Sequence, residues 1–268
     1  MEANPLITAE QIRRIAREQE MAVGVIEKDY AQSWLLRGFA RNDEIGDNFV
    51  LKGGTAIRKI YFPKTWRFSE DLDFTVIGNE DANMIRKSMQ GVLQQLRNES
   101  GINYLLESFH PTVGSIIADI QFAGPLGYSN RIRHDITLNE KMVLMPERRT
   151  IGSDYPDLPS FEIQAYPLAE ILVEKTRSIM QRGYSRDYYD VWRLLKTSEF
   201  QGSEVKSLLL HKCELNAVSY QPELLFASDR LSEAGSFWIT GLSHLTKELP
   251  NFDTVVSELR AQLHFLQE

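Results

Sequence analysis

Cysteine is almost missing from this chain. Cys213 is the single one in 268 residues, which excludes an internal disulfide and suits a reducing compartment. Histidine is scarce as well: the five present are widely scattered and leave no ligand pattern for a histidine-built zinc site. No serine–histidine or cysteine–histidine catalytic motif stands out. No run of about 18 apolar residues exists, so no membrane span is expected. The opening MEANPLITAEQIRR lacks the apolar stretch of a secretory signal, and a cytoplasmic location is the expectation. An excess of positive charge is missing too. Acids outnumber bases 37 to 30, which excludes nucleic-acid binding through bulk charge and restricts it to a local basic patch. There is no internal repeat and no low-complexity tract. The length allows one large domain or two small ones with a real core.

The first 45 residues read as helical, with Thr8 as a cap before Ile12, Ile15 and Ala16, and a second helix from about Val25 to Phe39. Asn48 to Lys52 alternates as a short strand. Gly53-Gly54-Thr55 ends it, and Ala56 to Tyr61 supplies one or two helical turns. Glu70 to Ile77 is a second strand, bounded by Gly78-Asn79 and followed by a long amphipathic helix through Met84, Met89 and Leu96. Tyr104–Phe109, Ser115–Phe122 and Arg131–Leu138 are strand candidates. The turn-rich 124–130 predicts a hairpin between the last two. Thr150 to Ser160 is the linker candidate, giving a mixed first domain over 1–160 and a mainly helical second domain over 161–268. Phe161–Ala165 is a strand that can return to the sheet. Pro167 starts a helix that Gly183 stops, and the rest reads as a helical bundle. The fold class is α+β, a mixed sheet with helices followed by a C-terminal helical bundle.

Four local features can carry chemistry. Asp71 and Asp73, two apart on a strand, leave the same face. A divalent cation removes their mutual repulsion, and Mg²⁺ takes such hard oxygen ligands. A lone Asp-x-Asp is, however, most often a solvated strand face. Strand, Gly53-Gly54, Thr55, helix is the layout of a phosphate-binding turn, because missing side chains let backbone N–H groups approach an anion. It has neither Walker nor Rossmann spacing. Asp135 alternates with His134 and Ile136 and is a third carboxylate for a two-metal site. Asp119 is its rival, and a surface pair with Arg133 is an equal alternative. Glu174-Lys175 and Arg186-Asp187-Tyr188-Tyr189-Asp190 lie on adjoining helices, where surface charge pairs are the plain alternative. Tyr188, Tyr189 and Trp192 read as packing residues more readily than as a base-stacking platform. Arg58-Lys59, Arg131 with Arg133, and Arg148-Arg149 are the candidates for an RNA-binding patch.

Lys52-Gly53-Gly54-Thr55-Ala56 followed by Arg67-Phe68-Ser69-Glu70-Asp71-Leu72-Asp73-Phe74 resembles the signature of the AbiEii/MenT-type nucleotidyltransferase toxins, of the polymerase-β-like nucleotidyltransferase superfamily. Glu174-Lys175 with 186–190 resembles the downstream motifs, and Glu27-Lys28-Asp29-Tyr30 the N-terminal helix. The resemblance spans about residues 10–195. It implies that Gly53 and Gly54 hold the phosphates of an incoming NTP, with a hydroxyl from Thr55 and Ser69 beside them. Asp71 and Asp73 would bind Mg²⁺, with Mn²⁺ as an alternative, and Asp135 would be the third ligand. Lys175 would contact the triphosphate. Asp190 matches the essential downstream acid better than Asp187, and both are retained. Sixteen residues separate Gly54 from Asp71, longer than in the wider superfamily.

The resemblance further implies NMP transfer from an NTP to an acceptor hydroxyl. The acceptor would be RNA such as the tRNA 3′ end, and the chain the toxin of a toxin–antitoxin or phage-defence system with a cognate antitoxin. Transfer to a protein or small-molecule hydroxyl, and a non-catalytic nucleotide-binding module, are the competing readings. Nothing in the sequence indicates oligomeric state.

Overall fold

The computed structural model describes residues 6–78, 81–138 and 140–267. The chain divides into two compact units: residues up to Glu140 with Pro146–Tyr166, and Lys141–Met145 with the chain from Pro167 onward. The boundary therefore falls at Pro167 and not within 150–160. The Gly, Pro and Asp content of that stretch imitates a linker. Yet Thr150 and Ile151 end a strand, Tyr155, Asp157 and Leu158 are buried, and Phe161–Ala165 is a strand of the first unit's sheet.

In the first unit, helix α1 (Ala9–Glu18) opens on a reciprocal cap. Thr8 Oγ1 accepts from Gln11 N at 3.3 Å and Gln11 Oε1 accepts from Thr8 N at 2.8 Å, satisfying two otherwise orphaned donors. Helix α2 (Val23–Ala40) is buried over most of its length, Glu27 and Asp29 included. Seven strands follow: β1 (Phe49–Lys52), β2 (Asp71–Val76), β3 (Asn103–Pro111), β4 (Ser115–Ala123), β5 (Ser129–Thr137), β6 (Glu147–Ile151) and β7 (Phe161–Ala165). They form one mixed sheet in the order β3-β4-β5-β2-β1-β7-β6, in which β2/β5 and β1/β7 are parallel. The hairpin expected around 124–130 joins β4 to β5. After β1 the chain turns at once into α3 (Gly53–Ala56) and a π-helical turn, Ile57–Tyr61. The helix thus begins at the first glycine, three residues before Ala56. Helix α4 (Ala82–Ser100) is capped by the Asp81 carboxylate, which accepts from Asn83 N and Met84 N at 2.7 and 2.9 Å, and ends on Gly101 at φ 68°. Asn79, expected to end β2 with Gly78, lies outside the described residues.

Strand alternation gives the sheet two chemically distinct faces. Leu72, Phe74, Ile132, His134, Ile136, Ala118 and Ile120 are fully buried on one face. Phe39 of α2 meets Phe74 and His134 there edge-on, with ring centres 6.0 and 5.8 Å apart. Asp71, Asp73, Arg133 and Asp135 alternate with these residues and so take the other face.

His134 makes the core pH-sensitive. Its Nδ1–H donates to the Ile132 carbonyl at 3.1 Å, and burial pushes its pKa down to about 4. The unfolded chain binds this proton below about pH 6.5 and the folded chain does not until about pH 4, so stability is present above 6.5 and is lost as pH falls through that window. The loss amounts to about 3 kcal/mol. Urea unfolding of the His134→Leu variant should therefore show a shallower fall in stability between pH 6.5 and 4 than the native chain. Identical slopes would rule out His134 as the source.

The second unit contains α5 (Leu168–Gln181), α6 (Ser185–Thr197), α7 (Gly202–Leu215), α8 (Ser228–Ser236), α9 (Trp238–Leu242) and α10 (Phe252–Gln262). Pro167 caps α5, and Gly183, at φ 63°, follows its end. Lys212 and Glu170 form a fully buried ion pair at 2.9 Å. Glu170 also accepts from Val143 N and Leu144 N, at 3.1 and 3.0 Å, which is why 141–145 belongs to this unit. Tyr188 and Tyr189 are fully buried, and Tyr188 and Trp238 pack on Phe252. Both tyrosines are core residues. Among the described residues no helix is long and apolar enough to cross a membrane.

Candidate active site

The antiparallel pairing of β1 with β2 sets Lys52 opposite Asp73, and the parallel pairing of β2 with β5 sets Asp71 opposite Arg133 and Asp73 opposite Asp135. Directly paired residues share a face, so Asp71, Asp73 and Asp135 project from the same side of two neighbouring strands. Asp119 pairs with Arg133 from β4, one strand farther from β2, and accepts from Ser108 Oγ at 3.0 Å. Arg133 Nε donates to the Asp135 carboxylate at 3.3 Å, and this bond holds the guanidinium pKa above its ordinary value.

The glycine turn abuts these carboxylates. Gly53 has φ 71°, and a Cβ there would fall inside the Asp73 carboxylate. A Cβ on Gly54 would lie 2.9 Å from an Arg67 guanidinium nitrogen and 3.3 Å from Ser69 Oγ. Gly53, Gly54, Ser69 and the paired aspartates are thus brought together in the first unit. The Thr55 hydroxyl is placed differently from the expectation of a phosphate contact. Thr55 is buried, and its hydroxyl donates to the Asp71 carbonyl at 2.7 Å, tying the turn to the first residue of β2.

Lys175, Asp187 and Asp190 form a cluster in the second unit. Lys175 Nζ lies 3.1 Å from Asp187 Oδ1 and 2.8 Å from Asp190 Oδ2, and Asp190 is fully buried. Both aspartates hold the lysine, so the two downstream candidates act on one cation. Arg182 adds a contact to Asp187 at 3.4 Å.

Two residues to which the motifs gave no role also stand at the site. Lys52 is buried on the carboxylate face, its Nζ paired with Glu140 and 3.4 Å from Thr137 Oγ1. Buried Arg67 lies against Gly54 and donates to the Phe68 carbonyl at 3.0 Å. Alternation from Phe49 places Lys52 on the outward face, but only the β1/β2 register shows that this face is the one bearing Asp73. Of the other basic candidates, Arg58 and Lys59 are buried against Asp29, while Arg148 pairs with Asp47 and Arg149 with Glu147. Arg131 and Arg133 remain exposed on the face that carries the aspartates.

Among the described residues no three His, Cys, Asp or Glu side chains form a ready-made metal cluster. Mg²⁺ needs none, since it is commonly held by one or two carboxylates with waters and substrate phosphates completing its shell. Asp71 and Asp73, two hard oxygen donors on one strand face beside a glycine turn, fit that pattern.

Comparisons with known proteins bear on the fold and the family. None of the curated proteins compared matches the chain. Among solved structures, MenT4, a nucleotidyltransferase toxin from Mycobacterium tuberculosis H37Rv, superposes with a TM-score of 0.70 at 19% identity, over 98% of this chain and 90% of that one. At that identity the likeness establishes the fold, and it bears out the α+β nucleotidyltransferase architecture. The family model for the nucleotidyl transferase AbiEii toxin of type IV toxin–antitoxin systems matches residues 34–257. The chain belongs to the AbiEii nucleotidyl transferase toxin family and is, as a member, a nucleotidyltransferase that takes a nucleoside triphosphate and has a cognate antitoxin.

Proposed function

We propose that the chain transfers a nucleoside monophosphate from an NTP to a hydroxyl of RNA, with the tRNA 3′ end as the acceptor class, and that it does so with Mg²⁺ held by Asp71 and Asp73. The observation that carries this reading is the register that aligns Asp71, Asp73 and Asp135 beside a glycine turn closed over by the Asp73 carboxylate. In the reaction the acceptor hydroxyl gives up its proton to water as its oxygen bonds to the α-phosphorus, the bond from that phosphorus to the bridging oxygen breaks, and pyrophosphate leaves. Asp71 and Asp73 would hold a divalent metal, which would supply charge neutralisation at the phosphates and acidify the attacking hydroxyl.

The chain's own residues supply position and charge. Gly53 makes room for the Asp73 carboxylate and Gly54 for the end of Arg67, and the backbone N–H groups of the turn are assigned to the phosphates. Thr55 holds that turn to β2, and Ser69 offers a hydroxyl beside Gly54. Asp135, opposite Asp73, is favoured over Asp119 as the third acid because Asp119 stands one strand farther away. Asp135 would serve as a metal ligand beside its contact with Arg133, whose guanidinium would offer a cation near an acceptor phosphate. Lys175 is fixed by Asp187 and Asp190, and its match to the family's downstream motif is what supports assigning it to the triphosphate.

Incubating the chain with each labelled NTP, Mg²⁺, total RNA and a protein pool tests this reading. Label should enter RNA, and Asp71→Ala should abolish it. Label in protein alone, or in neither polymer, would overturn the RNA acceptor.

A further inference from the structure

The N-terminal Glu27-Lys28-Asp29-Tyr30 segment has no place in the chemistry above, yet it lies on the buried helix α2. Two of its side chains anchor neighbouring segments. Glu27 Oε1 accepts from Leu126 N at 2.7 Å, and Tyr30 OH donates to Asp157 at 2.6 Å. Asp29 does more. Its Oδ1 accepts from Arg58 Nε at 3.2 Å, and its Oδ2 accepts from Lys59 Nζ at 2.6 Å and from Tyr155 OH at 2.7 Å. All four side chains are buried. Burial alone would raise the Asp29 carboxyl, but Lys59 and Arg58 outweigh it and hold the group below its ordinary range.

The position of this network matters more than its existence. Arg58 and Lys59 sit on the π-helical turn that directly continues the glycine turn. A π-helical turn is an uncommon geometry that recurs at functional sites. From that turn Arg58 reaches the far side of the long excursion between Gly54 and Asp71. Its NH1 donates to the Trp66 carbonyl at 2.8 Å, and its guanidinium lies 3.5 Å from the centre of the Phe68 ring. Phe68 precedes Ser69, which packs near Gly54. One buried carboxylate thereby grips both arms of the loop: the exit of the glycine turn directly, and the entry to β2 through Arg58.

We propose that Asp29 is a positioning residue for nucleotide transfer, fixing Arg58 and Lys59 so that Ser69 and Asp71 keep their placement against Gly53 and Gly54. The proposal rests on reading those residues as the nucleotide site. Pairing with β5 fixes Asp71 itself, and the Arg58 bond to Trp66 and its contact with Phe68 extend that order back into the excursion that leads to Ser69.

Two variants test it: Asp29→Asn, which keeps the shape and removes the charge, and Arg58→Lys, which keeps the charge and removes the bond to Trp66 and the stacking on Phe68. Each is purified with the native chain and Asp71→Ala. Circular dichroism, the KM for the NTP and the Mg²⁺ concentration giving half-maximal transfer are measured. In folded protein, both variants should raise the KM by about tenfold or more and shift the Mg²⁺ requirement upward, since small displacements of a positioned group are costly. A role in folding alone would reduce the active fraction, and thus apparent kcat, with the KM and Mg²⁺ requirement unchanged; that result overturns the proposal. If Asp29→Asn does not fold, Arg58→Lys decides the question in the same way. Transfer lost in Asp71→Ala with native KM in both other variants leaves the site reading intact and removes the role of Asp29. Transfer retained in Asp71→Ala, or no transfer by the native chain, removes both.

Discussion

Asparagine in place of Asp71 or Asp73 is expected to lower transfer about a thousandfold, the counterpart of about 4 kcal/mol of lost transition-state stabilisation. The substitution is nearly isosteric and leaves the backbone in place, so the Thr55 hydroxyl keeps its bond to the Asp71 carbonyl and the glycine turn keeps its tether. What changes is the charge on the strand face. A neutral amide is a far poorer ligand for a hard divalent cation than a carboxylate, which supplies charge as well as an oxygen. The metal linkage should fail together with the rate. A ligand that binds only the folded chain raises its melting temperature, so the native chain should melt higher with Mg²⁺ present and the variants should not. Asp135→Asn should lose less than either, because its carboxylate already accepts from Arg133 and stands on the neighbouring strand. Transfer that survives in Asp73→Asn within about tenfold of native would show that this carboxylate does not hold a metal whose charge the transition state needs.

Local pattern made much of this molecule legible in the sequence. The capping residue Thr8, the alternation through Asp71–Phe74, the amphipathic stretch of α4 and the turn-rich 124–130 each state their structure within a few residues, because each is decided by nearest neighbours along the chain. The two aspartates on one face follow from the same alternation. What the sequence withheld is whatever depends on pairing between distant segments. That Asp135 stands opposite Asp73 requires the parallel register of β2 with β5, whose partners are about sixty residues apart. Thr150–Ser160 looks like a linker by composition, but Tyr155 and Asp157 are tied to α2 through Asp29 and Tyr30, contacts more than a hundred residues long. Arg58-Lys59 illustrates the same limit. A basic pair reads as surface when its counter-ion lies thirty residues away on another element.

Alanine at Gly53 should be far more damaging than alanine at Gly54, although the two are neighbours in one turn. Gly53 sits at φ 71°, a conformation that costs an L-residue about 1 kcal/mol. A methyl group there also has nowhere to go: it would overlap an Asp73 carboxylate oxygen, with the carboxylate carbon only 3.1 Å away. Either the turn opens or Asp73 rotates, and both outcomes displace the carboxylate from the face it shares with Asp71. A displacement of that size at a reacting centre costs about a hundredfold in rate. At Gly54 the nearest atom is the far end of the Arg67 side chain at 2.9 Å, a flexible group that needs to shift by a few tenths of an ångström, and Ser69 Oγ at 3.3 Å needs to give only slightly. Its alanine variant should retain transfer within about tenfold, the scale of a partial displacement. Gly91, inside α4 with nothing within 4 Å of its missing Cβ, provides the control. Alanine there should leave transfer unchanged and stabilise the fold by about 0.5–1 kcal/mol through helix propensity. The three variants together separate two explanations for the paired glycines. If close approach of a phosphate to the backbone is what demands glycine, Gly54→Ala should lose as much as Gly53→Ala. If room for the Asp73 carboxylate demands it, the loss should be concentrated at Gly53 and accompanied by a higher Mg²⁺ requirement.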